Sequence, residues 1–115
     1  MKRFPSLRKN AQYQAVYKGG RSLATGLIVM YVRENDRDDV RLGISVSKKT
    51  GNSVVRHTFC RKIREIFRLH RDRTKTGYDI VIVARNPARD ADYGRLDRDY
   101  EKLLLRHNIF TEESK

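Results

Sequence analysis

"VRLGISVSKKTGNSVVRHTFCRKIRE", Val40 to Glu65, changes its apolar period partway along, and that change decides the fold. At its start Val40, Leu42, Ile44 and Val46 fall on one face and Arg41, Gly43, Ser45 and Ser47 on the other, the alternation of a strand with one buried side. Gly51 then offers a turn, and Asn52 or Ser53 a helix cap. Beyond the cap Val55, Phe59, Ile63 and Ile66 recur at helical spacing, which predicts a helix from about Val54 to Arg71 with those residues against the core. Arg61, Arg64, Arg68 and Arg71 lie within about 80° of one another on the opposite side, with His57 and Cys60 near the same surface.

Upstream, "NAQYQAVYKGG" sets Tyr13, Val16 and Tyr17 at i, i+3, i+4, with Asn10 as N-cap and Gly19 and Gly20 as a stop, a short first helix. A short strand near Gly20 to Ala24 and a β-branched run, "TGLIVMYVRE", follow. The acidic link "ENDRDD" reads as a hairpin loop joining that run to the strand at Val40, the two antiparallel. Downstream, "GYDIVIVARNP" is apolar on both faces, as a central strand should be, and Pro87 closes it. A last helix from about Asp92 to His107 buries Tyr93, Leu96, Tyr100, Leu103 and Leu104. The expected class is α+β, an α/β sandwich of order αβββαβα, in one domain over residues 1–115. The arm 1–9 and the tail 111–115 are expected to be flexible.

The formal charge is +12, unevenly placed. Residues 1–21 carry six lysines and arginines and no acid, residues 48–75 carry ten against two acids, and residues 85–115 are balanced at seven each. Ser47 to Glu65 alone holds six, beside one glutamate. A solvated helix face would mix in glutamates at i, i+4, so the clustering points to a polyanion partner. Lys48 and Lys49, just before a helix N-terminus with its unpaired N–H groups, make an anion site, and the arginine stripe extends it along several phosphates, which favours a polymer over a nucleotide. No run approaches the roughly 20 apolar residues of a membrane span, "MKRFPSLRKN" lacks the apolar centre of a secretory signal, and Cys60 is the lone cysteine, so a cytoplasmic protein is expected.

Strands flanking the basic helix count against a helix-turn-helix DNA reader, so RNA is the preferred polymer. Tyr13, Tyr17 and Tyr31 are candidate stacking platforms, or else core. Catalytic constellations are lacking. The acids sit in "ENDRDD" and on the last helix among arginines, not converging as a metal-dependent nuclease requires, and His57 with Cys60 supplies only two ligands of a zinc site.

"SVSKKTGNSVVRHTFCRKIRE", preceded by "RLGI", resembles the hallmark SxSKKxGNAVxRNRxKRxxRE of the protein subunit of bacterial ribonuclease P. "YQAVYKGG" is similar to that family's first helix, and "YDIVIVARNPA" to the strand and turn after its basic helix. Where the family reads Arg-Asn-Arg this chain has Arg56, His57 and Thr58, and Cys60 stands where a lysine is common. The resemblance implies a left-handed βαβ crossover like that of the second domain of ribosomal protein S5. It implies an accessory subunit, monomeric in isolation, with catalysis in a partner RNA that removes the 5′ leader of precursor tRNA using Mg2+ held mainly by the RNA. It assigns Lys48, Lys49, Asn52, Arg56, His57, Arg61, Lys62, Arg64 and Arg68 to the catalytic RNA, and Tyr13, Tyr17, Tyr31 and Ser45 to the precursor-tRNA leader. A basic ribosomal or RNA-assembly protein would share the charge and the sandwich but lack a leader cleft.

Overall fold

The computed structural model describes residues 6–111. Its elements run α1 (Asn10–Gly19), β1 (Arg21–Ala24), β2 (Ile28–Glu34), β3 (Val40–Ser45), α2 (Ser53–His70), β4 (Tyr78–Ala84) and α3 (Tyr93–Arg106), the order expected from the sequence. Short 3-10 turns, Arg71–Arg73 and Asn86–Asp90, follow α2 and β4. No helix of the described residues is long and apolar enough to cross a membrane.

The sheet has strand order β1-β2-β4-β3. β4 pairs antiparallel with β2 and parallel with β3, so β2 and β3 run in opposite directions but do not touch. The hairpin expected across "ENDRDD" is therefore not formed. Ile80, Val81 and Ile82 of β4 are buried, and a strand with two apolar faces gains most from the middle of a sheet. Instead of turning tightly, the link wraps the entry to β4: Asn35 N–H donates to the Gly77 carbonyl at 2.8 Å, and Gly77 N–H to the Asp39 carbonyl at 3.0 Å. Gly77 has φ +92, a backbone region open chiefly to glycine.

Asp79, one residue into β4, is buried and locks this corner. Its carboxylate accepts from Arg41 Nε and Nη2 at 2.8 and 2.7 Å, and from Asn35 Nδ2 at 2.7 Å. β3, β4 and the link thus meet on one charge whose oxygens are all engaged.

α2 and α3 cover one sheet face. Phe59, Ile63, Ile66 and Phe67 of α2 and Leu96, Tyr100, Leu103 and Leu104 of α3 close over Ile28, Met30, Val32, Leu42, Ile80 and Ile82. α1 covers the other face, where Val16 meets Leu7 and Val81.

The hand of the β3–α2–β4 crossover follows from Leu42. Its side chain joins the core under α2, while its carbonyl accepts from Leu7 N–H at 2.9 Å on the edge away from β4. With strands pointing up and α2 toward the viewer, an L-residue in that attitude sends its carbonyl right, so β4 lies left of β3. The crossover is left-handed, against the usual rule.

Two local expectations shift. Lys9, not Asn10, caps α1, and Gln12 Oε1 accepts from Arg8 and Lys9 N–H at 2.8 and 3.0 Å. Arg71 lies in the 3-10 turn beyond α2. Of the arm, residues 1–5 lie outside the described residues, while Ser6 bridges Leu42 and Leu7 is buried. Residues 112–115 of the tail also lie outside them.

Candidate RNA interface

Asn52 caps α2 by accepting from Val55 N–H at 3.0 Å through Oδ1. The first turn carries no acid, so nothing cancels the positive end of the helix. Lys48 and Lys49 stand exposed in the turn between β3 and this cap, held by Thr50, which is buried with its N–H on the Ser47 carbonyl and its hydroxyl on Asn86 Oδ1.

Along α2, His57, Arg61 and Arg64 are exposed and, with Ser53, Val54 and Thr58, line one hollow on the outer face. A neighbouring hollow is lined by Val46, Ser53, Arg56, His57, Cys60 and Arg64. Among the described residues, no ion pair or hydrogen bond engages the Arg61 or Arg64 guanidinium. The half-buried Cys60 thiol is pushed up by burial, against the pull of Arg64 and Arg56.

Two other expected cations are placed differently. Lys62 turns toward α3 and its Nζ donates to the Ala91 carbonyl at 3.2 Å. Arg68 is exposed but gripped by Glu65 through Nε at 3.0 Å and through Nη2, and the same bond holds the Glu65 carboxyl below its usual range. The free positive surface is the N-terminal half of the stripe, from the Lys48 turn to Arg64.

On the opposite sheet face α1 and the strands bring the tyrosines together. The Tyr17 and Tyr31 rings meet edge to face at 4.9 Å between centroids, and Tyr13 Oη accepts from Ile44 N–H at 3.2 Å. All three are half-buried. Ser45, two residues beyond Gly43 on the same face of β3, lies in register with Val83, and Val83 with Val29. This row leaves a floor of small and β-branched side chains beside the aromatic cluster. Gly43 was missed as a site residue: a Cβ there would lie 2.8 Å from the Tyr13 ring, so the bare backbone is what lets that ring lie over β3. Arg85, also missed, sits exposed beyond β4 with Nη1 on the Thr25 carbonyl at 2.9 Å.

Among the described residues no three His, Cys, Asp or Glu side chains gather as metal ligands. The described residues thus present two distinct surfaces, one cationic on α2 and one aromatic on the opposite sheet face.

A family model described as Ribonuclease P matches residues 1–108. The chain belongs to the ribonuclease P protein family. It is 42% identical over 112 residues to the ribonuclease P protein component of Clostridium novyi, covering 96% of this chain and 99% of that one. It is 45% identical over 106 residues to that of Lachnoclostridium phytofermentans, covering 92% and 91%. Among solved structures it is similar to the Staphylococcus aureus RNase P protein, with TM-score 0.87 and 38% identity over 95% of this chain and 100% of that one. The Thermotoga maritima RNase P protein gives 0.82 and 31%, covering 90% and 97%. A ribonuclease P protein thus shares its whole fold with this chain.

Proposed function

We propose that the chain binds the catalytic RNA of ribonuclease P through the Lys48 turn and the outer face of α2, and the single-stranded 5′ leader of precursor tRNA through the Tyr13–Tyr17–Tyr31 face. The observation that carries this reading is the uncompensated cationic surface on α2, set one turn of chain from the tyrosine cluster. Arg56, Arg61 and Arg64 with Lys48 and Lys49 can each neutralise a phosphate, and the three half-buried tyrosine rings offer faces for leader bases. Cleavage itself belongs to the RNA, where Mg2+ would activate the attacking water. The protein's part is to hold leader and catalytic RNA in one register, in the cytoplasm where tRNA is made.

The test adds the purified protein to cognate ribonuclease P RNA at limiting magnesium and measures 5′ processing of a precursor tRNA. Stimulation is expected; none, with the protein alone also inactive, would favour an RNA-assembly role. Arg61→Ala or Arg64→Ala should weaken binding to the catalytic RNA and flatten its salt dependence by about one phosphate. Tyr17→Ala should cost preference for precursor over mature tRNA more than it costs assembly, and an equal defect on a leaderless substrate would remove the leader face from the account.

A further inference from the structure

The hollow between α2 and the end of β3 has a makeup that phosphate binding does not explain. Val46 and Cys60 give it an apolar wall, His57 stands at its lip, and Ser53, Arg56 and Arg64 supply donors; no carboxylate lines it. Arg56, one of the lining residues, also has a buried Nε with no hydrogen-bond partner among the described residues, a donor whose burial is destabilising while it stays unpaired. His57, like Ser53 and Arg64, also lines the adjacent hollow that Arg61 borders, so it is shared by an apolar recess and a cationic groove.

We propose that this recess receives one unpaired base of the RNA partner, a guanine or a uracil; the inference rests on the RNA-binding reading above and names what that RNA places against α2. An aromatic ring lying beside an apolar wall suits the flat face of a base, while Arg61 and Arg64 hold the flanking phosphates. Guanidinium groups only donate, so the edge they meet must accept. Guanine offers O6 and N7 side by side away from its amino group, and uracil has two carbonyls and no amino group, whereas in adenine N1 and N7 and in cytosine N3 adjoin the amino group, which would set donor against donor. A stacked base releases no counterions, so this contact should add affinity without adding to the salt slope.

Cys60→Leu fills the recess, His57→Ala removes its lip, and His57→Phe keeps a ring there without ring nitrogens. Each would be titrated with cognate ribonuclease P RNA over a salt series, and the unpaired bases of the RNA probed with kethoxal for guanine and a carbodiimide for uracil. Cys60→Leu and His57→Ala are expected to bind about 10-fold more weakly at unchanged salt slope, with His57→Phe restoring most of the loss. One guanine or uracil should be protected by the wild-type protein and reactive in the Cys60→Leu complex. The proposal is overturned if His57→Phe is as weak as His57→Ala with a flattened slope, which would mark a charge contact, or if no guanine or uracil depends on Cys60. Should Cys60→Leu fail to fold, as judged by circular dichroism, the two His57 variants decide alone. An Arg61→Ala variant with unaltered slope would instead count against RNA binding by this face as a whole.

Discussion

His107 closes α3 with only 4% of its surface exposed, and its Nε2–H donates to the Met30 carbonyl at 3.0 Å. Burial, with Arg21 nearby, lowers its pKa below the ordinary 6.5 despite the raising effect of that carbonyl. The native state therefore resists a proton that the unfolded chain takes up. Stability contributed by neutral His107 is present above pH 6.5 and is lost as pH falls from there toward the depressed folded value. Urea unfolding between pH 7 and pH 5 should show this decline, and His107→Gln, which can still donate to Met30, should flatten it; an identical slope in both proteins would disprove the role. Gly43 gives a second residue-scale prediction. Gly43→Ala would press a methyl onto the Tyr13 ring and to 3.1 Å from Leu7, costing about 1–3 kcal/mol in unfolding free energy and disturbing leader discrimination with it. The glycine inside "RLGI" was a visible sign of close approach, but one sequence position cannot say which ring approaches.

At the scale of elements, α2 depends on its cap. Asn52→Ala should lower stability by about 1 kcal/mol, measured by thermal melting, because the Val55 N–H loses its acceptor. The sequence located α2, α3 and β4 closely because their apolar periods are long and unmixed: Phe59, Ile63 and Ile66 point one way throughout. It misjudged which strands pair, since alternation fixes the face of a residue and leaves the neighbouring strand open. It also treated Arg68 and Lys62 as equal members of a cationic surface. Glu65 at i−3 was readable as a partner for Arg68, whereas the Ala91 carbonyl that takes Lys62 comes from a turn whose position only the tertiary fold supplies. The tyrosine cluster was legible as i, i+4 aromatics on α1, but its contact with Tyr31 depends on how α1 lies across the sheet.

Across the whole molecule, Asp79 ties three segments distant in sequence. Asp79→Ala would leave the Arg41 guanidinium, mostly buried, without a counter-charge and Asn35 without its acceptor, and should cost about 3–5 kcal/mol in urea unfolding. A loss below about 1 kcal/mol would mean that water replaces the carboxylate at little cost. The placement of β4 bears on how the protein is made. A growing chain emerges N-terminus first, yet β2 and β3, synthesised early, have no edge in common and must wait for residues 78–84 to lie between them. A chain halted after Gly77 should accordingly be digested rapidly by protease, whereas the full chain resists. Until β4 arrives, α2 has no completed sheet to rest on, so the cationic face of α2 and the tyrosine face should mature together and late, and a half-made chain should present neither surface.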